Sequence, residues 1–141
     1  MQKQLPTNVA VQDLDCYNQV VIIVLDRKIT PEEFKGACEV YMDYIKTVID
    51  IEKNILAVGG EYHIDCEEVL LERGSKIENL YGGGYRVSTK EVEYMAMSNY
   101  KTALGKTTYE IMDQEIREKL YKLTMEYLKI WEGITSLLLI R

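Results

Sequence analysis

The chain has 141 residues, 47% of them hydrophobic and 28% charged, with 23 acidic against 17 basic side chains and a formal net charge of -6. Such a chain makes about one globular domain with a core of its own. The acidic balance, without any cluster of basic residues, excludes nucleic acid as a partner, because neutralising phosphates takes a local surplus of Lys and Arg.

The three cysteines, Cys16, Cys38 and Cys66, form no CxxC pair. This excludes zinc-knuckle and thioredoxin-type motifs and fits reduced thiols. No apolar run reaches membrane-spanning length and no charged-then-apolar leader pattern is present, so a cytoplasmic protein without a membrane partner is expected.

Residues 1–18 read as a polar N-terminal arm, expected to be partly disordered, with Pro6 and Asn8 as punctuation and a short alternating piece around Val9 and Val11. Residues 19–141 read as a single domain. From Val20 to Leu25 the chain is unbroken apolar and mostly β-branched, which predicts a strand buried on both faces. Thr30-Pro31-Glu32-Glu33 is a helix start, with Thr30 as cap, Pro31 in the first turn and Glu33 closing a capping box. Phe34, Cys38, Tyr41, Ile45 and Val48 then mark one helix face at four-three spacing.

A hairpin is predicted next, with Ile49 and Ile51 facing Leu56 and Val58 across a Lys53-Asn54 turn, and Asp50 and Glu52 on the other face. Gly59-Gly60 breaks the second strand. Asp65 and Glu68 form a capping-box signature for a short helix reaching about Arg73, with Gly74 as its stop. Residues 80–87 and 91–98 read as strands joined near Ser88-Thr89-Lys90. Gly82-Gly83-Gly84 in the first of them marks a bulge or a close backbone approach. The triplet opens onto a strand, not a helix, which weakens it as a phosphate cradle.

Residues 99–109 read as a loop, and the last helix is expected to start near Asp113. Ile116, Leu120, Leu123, Tyr127, Ile130, Ile134 and Leu137 recur at heptad spacing. One continuous helix is the first expectation; a helix ending near Glu132 followed by a short apolar strand is the other. The resulting order, β-α-β-β-α-β-β-α, predicts an α+β fold: a mixed, mainly antiparallel sheet with a long C-terminal helix. Three heptads and the tail Leu137-Leu138-Leu139-Ile140 exceed what one small sheet needs to cover, so a homodimer through the last helix is expected.

Several segments together resemble a prokaryotic domain-of-unknown-function family with a Gly-Gly-Glu-x-His-x-Asp signature. They are Ile29-Thr30-Pro31-Glu32-Glu33, Asp50-Ile51-Glu52-Lys53, Gly59-Gly60-Glu61-Tyr62-His63-Ile64-Asp65, Gly74 to Leu80, and Asp113-Gln114-Glu115-Ile116-Arg117. The family tends to carry Trp-Gly-Ile-Asn where this chain has Tyr81-Gly82-Gly83-Gly84, and an Asn-Ile-Arg-Pro segment similar to Asn99-Tyr100-Lys101-Thr102. The resemblance implies a fold relationship and brings no activity.

The chemistry-bearing stretch is Glu61-Tyr62-His63-Ile64-Asp65, around the only histidine. On an extended segment Glu61, His63 and Asp65 project to one side. Two carboxylates and an imidazole are ligands for a divalent transition metal, whereas Asp65 also has a competing role as helix cap. Glu61 and His63 alternatively make an acid–base pair, with Lys76 and Asn79 as the partners needed to hold an anionic ligand. Cys66 lies in the first turn of a helix, where the macrodipole favours a thiolate, although an inert small residue is the plainer role. Two function classes follow. One is a binding or interaction protein that self-associates through its last helix and uses the Glu61–Asp65 segment in a ligand groove. The other is a small metal-dependent or acid–base, hydrolase-like enzyme.

Overall fold

The computed structural model describes the backbone of residues 9–15 and 18–129 and the side chains of residues 21–129. Its strands are β1 (Val9–Asp15), β2 (Asn18–Leu25), β3 (Tyr44–Asp50), β4 (Ile55–Gly59), β5 (Leu80–Arg86) and β6 (Glu91–Glu93), with helices α1 (Pro31–Ala37), α2 (His63–Glu72) and α3 (Gln114–Leu128). The strands form one sheet in the order β1-β2-β4-β3-β5-β6, and each pairing is antiparallel. The α+β class and the element order read from the sequence are therefore found. One strand precedes that order: residues 9–15, expected within a polar arm, pair with β2, so the alternation around Val9 and Val11 was strand periodicity.

Strand alternation divides the core into two layers. Ile23, Leu25, Ile45, Ile49, Leu56 and Val58 pack with α1 and α3 on one face. Ile22, Val24, Val48 and Ala57 pack with Cys66, Val69 and Leu70 of α2 on the other. A strand supplying both layers must be apolar at every position, which is why the run 22–25 is buried throughout.

The first helix is shorter than its spacing predicted. It ends at Ala37, and Tyr41, Ile45 and Val48 are not on it. The chain reverses through Met42 at φ 59° and enters β3, which lies between β4 and β5. Pairing on both sides of a segment rich in Ile, Thr and Val overrides the four-three pattern. The hairpin after it forms with Ile49 opposite Leu56 and Asp50 opposite Ile55; Ile51, expected on the first strand, lies in the turn at residues 51–54, where Asn54 takes a positive φ. Asp50 is buried, accepting from the Glu52 and Lys53 amides at 2.9 and 3.0 Å and from the Ser75 hydroxyl at 2.5 Å. These bonds fasten the hairpin to the end of α2, where Gly74 at φ 93° stops the helix.

The last helix is capped by Asp113, which accepts from the Glu115 and Ile116 amides. Leu120, Leu123, Tyr127 and Leu128 are buried on the protein's own sheet, with Ile116 packed beside them. The described half of the heptad stripe is thus occupied internally. Residues 130–141, on which the expected continuation of the helix and its role in a dimer rest, lie outside the described residues. Among the described residues no helix is long and apolar enough to cross a membrane.

The capping box at α1 is present as read. Thr30 Oγ1 accepts from the Glu33 amide at 3.2 Å, and Glu33 Oε1 accepts from the Thr30 amide at 2.9 Å. The Arg27 guanidinium also forks onto the Glu33 carboxylate at 2.7 and 2.9 Å. Burial alone would raise the Glu33 carboxyl, but the Arg27 and Thr30 donors outweigh it and lower its pKa from 4.5 to about 2. A carboxyl whose folded value is depressed stabilises the fold above its unfolded value and loses that contribution as pH falls through the folded one. Glu33→Gln should cost about 1–2 kcal/mol near neutrality. It should also flatten the decline in stability between pH 4.5 and about 2. Urea unfolding of both proteins across that window checks this, and parallel profiles would contradict it.

Candidate functional site

Gly59 ends β4, and Tyr62, in extended backbone, stands before the first helical residue, His63. The helix therefore begins three residues before the sequence signature placed it, with Tyr62 rather than Asp65 at the cap position. The structure corrects the reading of Glu61, His63 and Asp65 as one face of a strand. His63 and Asp65 lie two residues apart within the first turn of a helix, about 200° around its axis. Asp65 is not the cap: Tyr62 holds that position without a side-chain cap bond, and Asp65, in the first turn, accepts through its carboxylate from the Tyr62 backbone amide.

The imidazole of His63 turns toward the sheet and donates from Nε2 to Gly83 O at 2.7 Å. A carbonyl only accepts, so the neutral ring carries its proton on Nε2 and leaves Nδ1 as an acceptor. Burial is the main cause of a pKa below 6.5; the Gly83 carbonyl opposes this, and the Lys46 ammonium adds to it. His63 is thus held neutral near physiological pH.

The ring lies beside Gly82, and the triple glycine of β5 is a close backbone approach as expected. A Cβ on Gly82 would come within 2.6 Å of Ala96 Cβ, 3.1 Å of His63 Cδ2 and 3.2 Å of Ser98 Oγ. A side chain there would push α2 and residues 96–98 apart. The outer edge of Gly82 is also beyond the reach of β6, whose pairing stops at Gly84 opposite Glu93. Asn99 takes the place of the missing strand. Its Oδ1 accepts from the Gly82 amide at 2.7 Å, and its Nδ2 donates to Gly82 O at 3.0 Å and to Tyr109 O at 2.9 Å. One buried primary amide thereby satisfies both backbone groups of Gly82 and ties the loop at residues 95–109 to the sheet.

Between this loop and the start of α2 runs a groove of about 750 Å3. Its apolar wall is Tyr62, Ile64, Met95, Met97, Tyr100 and Tyr109. Lys46 of β3, His63, Glu67, Ser98 and Lys101 supply its polar groups. Glu67 is buried and meets the Lys101 ammonium at 2.7 Å, with 5% and 16% of the two side chains exposed. Lys101 Nζ also contacts the Ser98 carbonyl, which holds the loop from a second side. Among the described residues Lys46 has no ion pair. Its ammonium lies 5.1 Å from the ring centre of Tyr41 and 5.7 Å from that of Tyr62.

Of the residues singled out from sequence, His63 lies in the groove, whereas Glu61, Asp65, Lys76 and Asn79 do not line it. Glu61 makes no hydrogen bond to the imidazole; its backbone carbonyl accepts from Tyr41 Oη at 2.8 Å. Among the described residues no three His, Cys, Asp or Glu side chains converge to hold a metal ion. Lys76 is exposed, and Asn79 donates to Glu52 at 2.6 Å beside the hairpin turn. Cys66 is fully buried, its thiol donating to Gly59 O at 3.3 Å. Burial, reinforced by the neighbouring Asp65 charge, pushes that thiol up to about 12, so it is inert core and no thiolate nucleophile.

Residues 22–127 match the family described as "Protein of unknown function (DUF5674)". The chain belongs to that family. No curated protein and no solved structure matches it. Sequence reasoning missed Asn99 and Lys101, because nothing in the loop's pattern marks which amide or ammonium turns inward, and Lys46, because its strand was read as the continuation of the first helix. One segment that carried the family resemblance, Gly59 to Asp65, meets at the groove with Asn99 to Thr102, where the chain departs from the family pattern.

Replacing the Asn99 amide removes three hydrogen bonds and strands the Gly82 amide and carbonyl in a buried place. Asn99→Leu should therefore destabilise the fold by about 2–4 kcal/mol. Chemical denaturation measures it. A loss no greater than that of an exposed loop substitution would contradict the role assigned to this side chain.

Proposed function

We propose that this protein binds a small apolar molecule in the groove between the first turn of α2 and residues 95–109. The observation that supports this reading is the concentration of exposed apolar side chains in one concavity. Met97 is 81% exposed, Ile64 and Tyr62 are each 56%, and Met95 is 53%. Leaving such groups in water is unfavourable, and contiguous exposed apolar surface on a folded domain marks an interaction site. The volume falls in the range of small-molecule sites, and methionine and tyrosine suit an adaptable apolar wall. The walls are fixed beneath by the Asn99, His63 and Lys101 contacts, so the concavity exists before a ligand arrives.

The enzymatic alternative has less support. His63 keeps Nδ1 as an acceptor, but among the described residues no carboxylate orients the ring, and Nε2 is committed to Gly83. Acid–base work by Glu61 and His63 needs them joined, and they are not hydrogen-bonded to each other.

The test uses phenylnaphthylamine, an uncharged probe that fluoresces on leaving water. Titration into the folded protein should give saturable binding. Met97→Asp and Ile64→Glu, at positions exposed enough to spare the fold, should each weaken it about tenfold by placing a charge in the apolar wall. Absence of saturable binding, or equal affinity in both variants, would contradict the reading.

A further inference from the structure

Resting on that reading, we infer that the groove selects an anionic ligand: a small molecule with an apolar body and one acidic head, the head held by the Lys46 ammonium. The chain as a whole carries a formal net charge of -6, yet the charged residues lining the groove are two lysines and one glutamate. Lys101 and Glu67 neutralise each other at 2.7 Å, in a contact too buried to be exchanged freely. Lys46 is what remains.

Its position follows from the sheet. Lys46 pairs with Gly84 of β5, and Val48, two residues on, pairs with Gly82. Alternation places Lys46 on the α2 face, with Val48 of that layer. Its cross-strand partner Gly84 has no side chain, the Tyr44 ring lies over that glycine, and the ammonium lines the groove. The rings of Tyr41 and Tyr62 flank it and fix it without neutralising it. The acidic groups nearby do not occupy it. Asp65 is close enough to feel Lys46 but forms no ion pair with it, and Glu61 acts on Asp65 and Tyr62. A half-buried cation beside an apolar wall is completed by a ligand carboxylate, sulfonate or similar monoanion.

Two probes with the same aromatic body separate this inference from the reading beneath it: uncharged phenylnaphthylamine and its sulfonated form, anilinonaphthalene sulfonate. The folded protein should bind the sulfonated probe about tenfold more tightly than the uncharged one. Lys46→Gln should abolish that preference, and Lys46→Arg, which keeps the charge, should preserve it. Equal affinity for the two probes, or a preference that survives Lys46→Gln, overturns the anionic head while the apolar groove stands. Failure of both probes to bind overturns the groove itself, and this inference with it.

Discussion

A single buried side-chain amide sets the geometry of the candidate site. β6 is too short to cover β5 as far as Gly82, and an uncovered strand edge in a packed interior leaves an amide and a carbonyl without partners. Asn99 supplies both partners from the end of a short 3-10 turn, Met97–Asn99, in the loop beyond β6. That bond draws residues 96–98 onto the face of Gly82, where His63 arrives from α2 and bonds to the next carbonyl. The absent side chain of Gly82 makes room for all three. Helix, strand and loop are thus locked at one point, and the groove is the space left above it.

The electrostatics of the groove follow from which charges found partners during folding. A buried carboxylate such as Glu67 is tolerated because Lys101 meets it directly. The same pairing consumes the charge of the loop, so the groove's remaining electrostatic character comes from the strand beneath. His63 does not add to it: burial and the nearby Lys46 keep the ring neutral. The result is an apolar wall with one cation at its foot, in a protein whose overall charge is negative.

Much of the framework could be read from local patterns. The β-branched run of β2, the Thr30 box, the positive φ at Asn54, the Asp113 cap and the close approach at Gly82 each have a short-range physical cause. The errors came where long-range pairing overruled local spacing. Residues 44–50 match a helix face by count, but two neighbouring strands claim them. The start of α2 moved because Gly59 and Gly60 turn the chain early, both at positive φ, which converted an alternating Glu-His-Asp strand into a helical turn. His63 was visible as the one imidazole in the chain. Asn99 and Lys46 were not, since their importance comes from an unpaired edge and a missing side chain on another strand.

The central claim is that the loop at residues 95–109 and the first turn of α2 form one ligand site. Amide chemical-shift mapping during a titration with phenylnaphthylamine tests it directly. Saturable shifts are expected in residues 62–67 and 95–109 and at Lys46. Shifts concentrated on α3 or on the β1–β2 edge, with residues 62–67 and 95–109 unmoved, would contradict it.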